Sequence, residues 1–161
     1  MVSSKEYNNA VREYSKNLLR FIIKSLKDEK AAEDILQDCY LKLWEHRNNV
    51  DPQKIKSWLF TTAHHMLINY IKRKARFTSS GVQQEFPLPA VSDFDVKELI
   101  DKALEQLPQQ QKSILLLRDL EGYNYDEIGE IMQLSNAQVK VYLFRARQKI
   151  KEMLRSVHAI I

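Results

Sequence analysis

Two groups of side chains in this sequence have the types and spacing needed to grip a polyanion. The first is Trp58, Thr62, His65, Asn69, Lys72 and Arg76, with Arg73 and Lys74 beside its end. Steps of three or four residues put such positions on one face of a helix. The ring can stack on a base, the hydroxyl, imidazole and amide can hydrogen-bond, and the cations can meet phosphates. Trp58 alone would fit a core at least as well. The run Lys72-Arg73-Lys74-Ala75-Arg76 would not, although a solvated helix end remains open for it. The second group is Lys140, Phe144, Arg147 and Lys151, again on one helical face and unsuited to a core. No nucleophile–base pair and no phosphate-cradling glycine loop accompanies either group, so no enzyme is expected. His64 and His65 are adjacent, diverge by about 100° on a helix, and do not share a metal. No metal and no cofactor are expected.

The elements that must position the second group are legible around it. Ile128, Ile131 and Met132 fit one face of a short helix beginning near Tyr125. Gln133-Leu134 reads as a tight turn, and Ser135 can cap a following helix through its hydroxyl. In that helix Val139, Leu143, Ala146, Ile150 and Leu154 make the apolar stripe. A short helix, a turn and a second helix with a basic outer face form a helix-turn-helix, whose second helix fits a major groove. A generic helical hairpin gives the same apolar phase. Gln133 stands where such turns often need φ > 0, at a cost of about 1 kcal/mol for a residue with a Cβ. Gly129 stands where two helices approach.

Only 3 Gly and 4 Pro among 161 residues point to an all-α chain, and 44% hydrophobic residues suffice for a core. Charge is unevenly spread: +6 over residues 1–76, −2 over 77–94, −5 over 95–131 and +5 over 132–161. Two basic ends around an acidic middle suit two contacts with a polyanion, though a solvated charge pattern would look alike. The single Cys39 gives no disulfide framework and suits a reducing, cytoplasmic setting. No apolar leader and no membrane span is visible, so no direct membrane insertion is expected.

Taken in order, helices are expected over Lys5 to Leu26, with Val11, Leu18, Leu19, Ile22 and Ile23 inward, and over Ala31 to Glu45, with Ile35, Leu36, Cys39, Tyr40 and Leu43 inward. The latter carries Asp34, Gln37, Asp38 and Leu41 on its other side; an exposed Leu among acids is either incidental or a docking point. A loop from His46 to Lys54 leads, through Pro52, into a helix from Ile55 to about Arg76, with Leu59, Ala63, Met66, Leu67 and Tyr70 inward. Phe77 to Phe94 is linker chemistry, able to reach about 60 Å if fully extended. A helix follows over Val96 to Glu105 with Leu99, Ile100, Ala103 and Leu104 inward. The next begins near Pro108 and ends at Gly122, with Ile114 to Leu117 central to the second half, and the tail from Ser156 is expected to fray. The chain thus divides into a helical domain over 1–76, a linker over 77–94 and a helix-turn-helix domain over 95–161.

With both halves read, the sequence resembles the extracytoplasmic-function sigma factors of the sigma-70 family over almost its whole length. The resemblance is carried by Ala32 to Trp44, by Ser57 to Ala63, by Leu107-Pro108, by Tyr125 to Ile128, and by Val139-Lys140 with Leu143 to Arg147. It implies a sigma factor that directs core RNA polymerase to promoters and assists melting. The first domain would be like sigma region 2, the second like sigma region 4. Asp34, Gln37, Asp38 and Leu41 would dock on the clamp of the β′ subunit, and the acidic early helices of the second domain would meet the β flap. The loop from Arg47 to Lys56, with Asn48 and Asn49, and the helix bearing Trp58, Thr62, His65, Asn69, Lys72, Arg73 and Arg76 would open the −10 element and hold a flipped base. Asn136, Lys140, Tyr142, Phe144, Arg145 and Arg147 would read the −35 element. An anti-sigma factor is the further partner the resemblance implies. The family often has Arg-Asn where this chain has His64-His65, and Ser-Arg where it has Val141-Tyr142, so its promoter preference would differ. Two other readings stand beside this one: a self-sufficient helix-turn-helix repressor or activator, and a helical adaptor that binds protein alone.

Overall fold

Helices account for every regular element among residues 1–77 and 96–158, which the computed structural model describes. The first half is a bundle of three: α1 (Ser4–Leu26), α2 (Glu29–Glu45) and α3 (Ile55–Phe77). Reciprocal bonds open α1: Ser3 Oγ accepts from the Glu6 amide and Glu6 Oε1 from the Ser3 amide, each at 3.1 Å. It ends at Lys27, whose left-handed φ of 54° turns the chain. Asp28 then caps α2 by accepting from the Ala31 amide, and its other oxygen accepts from the Tyr70 hydroxyl at 3.1 Å, tying α2 to α3. Ala10, Leu18, Phe21 and Ile22 of α1 meet Ala32, Ile35, Cys39 and Leu43 of α2 and Leu59, Ala63 and Leu67 of α3. Of the expected core, Leu19, Ile23, Leu36, Met66 and Tyr70 lie only half-buried at its rim, and Phe21 takes a central place instead.

The second half comprises α4 (Val96–Glu105), α5 (Gln109–Leu115), α6 (Tyr125–Met132) and α7 (Asn136–His158). The run Ile114 to Leu117 is buried throughout, as four consecutive apolar residues require of a central helix. Beyond Leu115 the helix widens into a π-helical turn over Leu116–Leu120, and Gly122 closes it at φ 75°. A capping box opens α6, with Asn124 accepting from the Glu127 amide and Glu127 from the Asn124 amide. Gln133 adopts the left-handed conformation expected of the turn, φ 59° and ψ 46°. A Cβ on Gly129 would meet the Leu134 carbonyl oxygen at 2.6 Å, so the turn closes only over a glycine. Ile100, expected inward, is 39% exposed at the edge of a groove. Of the expected linker 77–94, Phe77 closes α3 and the rest lies outside the described residues, as do residues 159–161 of the tail.

The two halves pack against each other. Phe60 of α3 sits edge-on to Tyr123, ring centroids 5.3 Å apart, and also meets Phe21 at 5.7 Å. Thr61 donates to the Ile131 carbonyl at 2.7 Å. His64 Nδ1 lies 3.1 Å from Ser113 Oγ, and Lys112 Nζ donates to the Ser25 carbonyl at 3.2 Å. Helix α3 therefore buries two faces, one in its own bundle and one under the second half.

Candidate nucleic-acid interface

Helix α2 turns Asp34, Gln37, Asp38 and Leu41 outward, all exposed on successive turns of one face. Leu41 is 56% exposed. Between α2 and α3 lies an open cleft of about 620 Å³ that brings Asp38 and Leu41 opposite Asn69, Lys72, Arg73 and Arg76. The acid-and-apolar surface and the basic surface thus meet along one furrow. Its floor is Ile35 and Met66, and Cys39 Sγ stands 3.7 Å from Met66 Sδ beneath. Burial pushes the Cys39 thiol up to about 12, so it stays neutral.

The loop after α2 is held rather than loose. The Val2 amide donates to the Arg47 carbonyl at 2.8 Å, and Val2 is 0% exposed. Arg47 lies over the Trp44 ring at 4.1 Å and donates to the Trp44 carbonyl, while Tyr7 meets the same ring edge-on at 5.1 Å. Val50 is buried, so Asn48 and Asn49 stand exposed on a fixed turn. Asp51 then caps the short 3₁₀ turn Pro52–Lys54 that leads into α3. Trp58 is half-buried, settling between the two roles the sequence left open, with His46 at 6.2 Å. Thr62 is half-buried, and His65, Asn69, Lys72, Arg73 and Arg76 are exposed.

His64 belongs to neither surface. It lies 7% exposed beneath α5, and burial, with His65 adding to it, lowers its pKa to about 4. Ser113 accepts from Gln109 Nε2 at 3.0 Å, which leaves its hydroxyl proton free to bond His64 Nδ1. The pair resembles a nucleophile and base only in distance. Both members are buried between helices, Ser113 wholly and His64 nearly so. Among the described residues no group of three His, Cys, Asp or Glu side chains is placed to hold a metal.

On α7, Ser135 accepts from the Gln138 amide and Gln138 Oε1 from the Ser135 amide, fixing the helix start. Lys140, Phe144 and Arg145 are exposed, Phe144 by 67%, and Tyr142 is half-buried with Arg145 near its ring. Lys140 lies 5.6 Å over the Tyr125 ring. Two candidates are engaged within the chain: Asn136 donates to Asp126 at 2.8 Å, and Arg147 pairs with Asp119 at 2.6 Å. Arg147 lines an apolar groove of about 640 Å³ walled by Ile100, Leu104, Leu116, Leu120, Ile150 and Leu154.

Sequence reading passed over the ion pairs by which cations of the first half meet the second. Arg20 grips Glu121 with two bonds, of 2.9 and 3.0 Å, and Lys24 pairs with Asp101 at 3.2 Å. Lys27 pairs with Glu105, Lys54 with Glu130 at 2.7 Å, and Lys56 with Glu127. The bond from Lys56, ahead of the Asn124 amide, holds the Glu127 carboxyl below its ordinary range. The segment charges were the available signal: a basic first half and an acidic middle attract one another.

Residues 10–77 match the family described as Sigma-70 region 2, and residues 97–150 match Sigma-70, region 4. The ECF RNA polymerase sigma factor SigM of Bacillus subtilis is 33% identical over 147 residues, covering 87% of this chain and 90% of that protein. The RNA polymerase sigma factor YlaC of the same organism is 30% identical over 154 residues, covering 88% and 87%. In fold, the chain is similar to the sigma factor RpoE of Bartonella quintana, solved with the anti-sigma factor NepR. That match has a TM-score of 0.75 and 23% identity over 94% of this chain and 98% of that one. It is also similar to CnrH, solved with the cytosolic domain of CnrY, with a TM-score of 0.73 and 18% identity over 96% and 90% of the two chains. No helix among the described residues is long and apolar enough to cross a membrane.

Proposed function

This chain belongs to the sigma-70 family, as an RNA polymerase sigma factor of the extracytoplasmic-function type, and on that premise we propose how its residues share the work of transcription initiation. Residues 1–76 act as the region 2-like domain, 77–94 as the linker and 95–161 as the region 4-like domain. Asp34, Gln37, Asp38 and Leu41 dock the β′ clamp. Asn48, Asn49, Trp58, Thr62, His65, Asn69, Lys72, Arg73 and Arg76 engage the −10 element. Lys140, Tyr142, Phe144 and Arg145 read the −35 element, and Asn136 and Arg147 join them once their internal partners release. The apolar groove beside α4 receives the β flap. An anti-sigma factor is the regulatory partner, as suits the likeness to RpoE of Bartonella quintana in complex with the anti-sigma factor NepR.

One observation carries this reading. The furrow between α2 and α3 sets Asp38 and Leu41 against Lys72, Arg73 and Arg76, so a polymerase helix and a DNA strand can be held side by side. Promoter opening then needs no covalent step. Duplex anchoring at −35 and docking on polymerase offset the few kcal/mol that unstacking a base step costs. A flipped base is held by stacking, worth about 1–3 kcal/mol.

Reconstituted transcription with core RNA polymerase tests the assignment. Asp38→Arg is expected to abolish core binding while leaving duplex binding at −35 intact. Lys140→Ala is expected to weaken −35 binding and, if the ammonium meets phosphate, to lower the salt slope by about 1. Normal core binding by Asp38→Arg, or unchanged DNA binding by Lys140→Ala, would move the corresponding surface elsewhere.

A further inference from the structure

We propose that Val141, with Ala137 and Phe144 beside it, helps to determine promoter choice by reading the 5-methyl groups of thymines in the −35 element. The proposal rests on the assignment of α7 to that element given above. Helix α7 carries two apolar stripes, and only one of them serves the fold. Val139, Leu143 and Ala146 face the core. Ala137, Val141 and Phe144, spaced by four and three residues, fall together on a face about 160° away. All three are exposed, Val141 by 46% and Phe144 by 67%. The two larger side chains lie apart from the core and its rim.

Cations border this second stripe on both sides. Around the helix, Lys140 flanks it on one edge and Arg145 on the other, and both are exposed. An apolar strip between two cationic edges is the complement of a major groove, whose floor carries thymine methyl groups and whose walls carry phosphates. From Ala137 to Phe144 the helix rises about 10 Å, enough for about three base steps of about 3.4 Å. The stripe lies in the first turns of α7, and it is the N-terminal part of a recognition helix that meets base edges. Val141 stands in the middle of it. Its side chain has no atom to donate or accept a hydrogen bond. Of the groups that bases present in the major groove, it is therefore complementary to the thymine methyl alone. Burying one such group is worth about fourfold in affinity.

Removing the methyl group from the DNA tests this directly. Holoenzyme made from the full chain and core RNA polymerase selects promoters from a duplex library randomised upstream of the −10 element. The selected element is expected to carry thymine, on either strand, at one or more positions. Each such thymine is then replaced in turn by deoxyuridine, which lacks only the methyl. For the wild-type chain at least one replacement is expected to weaken binding about fourfold. Val141→Ser should bind the thymine duplex about fourfold more weakly and be indifferent to deoxyuridine at that position. Val141→Thr keeps a methyl group and should keep the discrimination. Any change in DNA stiffness acts on all three proteins alike, so the comparison isolates the contact. An element without thymine, no loss on any deoxyuridine replacement, or a loss that Val141→Ser shares at every position overturns the proposal. Weaker core polymerase binding by Val141→Ser, with no deoxyuridine effect, also overturns it and makes the stripe a protein contact. Enrichment of no upstream sequence would overturn the −35 assignment itself, and the proposal with it.

Discussion

Replacing Arg20 by Met isolates the strongest polar contact between the halves. The Glu121 side chain is 0% exposed, while that of Arg20 is 40% exposed. Removing one partner of a fully buried ion pair costs about 3–5 kcal/mol, because the remaining charge is stranded. Here the guanidinium reaches solvent, so water entering its place screens Glu121, and the cost falls to about 1–3 kcal/mol. About 2 kcal/mol corresponds to a fall in Tm of about 4–8 °C for a chain of this size. Glu121→Gln retains an acceptor for Arg20 and leaves no stranded charge, so its cost should be smaller, about 1 kcal/mol. In Arg20→Met/Glu121→Leu both polar groups are gone, and stability should return to within about 1 kcal/mol of the parent. Urea unfolding followed by circular dichroism, near neutral pH, of these variants and of Glu121→Leu alone gives all four corners of the cycle. An Arg20→Met variant within about 0.5 kcal/mol of the parent, or a double variant whose losses simply add, would show that the pair does not stabilise the packing of the two halves.

Three other outcomes are expected. Gln133→Gly relieves a left-handed residue bearing a Cβ and should raise stability by about 0.5–1 kcal/mol, read as a higher Tm. Gly129→Ala should lower it by about 1–3 kcal/mol in the same assay, because the nearest atom to the new methyl is backbone, the Leu134 carbonyl at 2.6 Å. His64 has a folded pKa near 4 against an ordinary 6.5, so below that ordinary value the unfolded chain binds a proton the folded chain refuses. Stability is expected to fall as pH drops from 6.5 toward 4, by at most about 1.4 kcal/mol per pH unit, and His64→Asn should flatten the upper part of that fall, above the range of the carboxylates.

Much of the fold was legible because its cues are local. Ser135, Gln133 and Gly129 define the turn of the helix-turn-helix within a few residues, and Asp34, Gln37, Asp38 and Leu41 face outward by simple helical phase. Helix α3 was read half correctly for the same reason. Periodicity reports one stripe, Leu59, Ala63 and Leu67, but Phe60 and His64 are buried by a second half more than forty residues away in sequence. Local pattern holds no information on that docking. The charge profile did: Glu121, Glu127 and Glu130 of its acidic middle face cations of this chain. The π-helical turn at Leu116–Leu120 has no counterpart in residue spacing, since it follows directly on the unbroken apolar run Ile114–Leu117, which offers no stripe for an inserted residue to shift.

Val2 has a practical bearing on anyone handling this protein. Its side chain is sealed and its amide is spent on Arg47, so polypeptide fused ahead of it starts beside the turn that carries Asn48 and Asn49. An affinity handle placed there would tug at the turn assigned to the melted strand, and an assay of promoter choice would then report on the handle. The opposite end, beyond α7, is the better place to attach one.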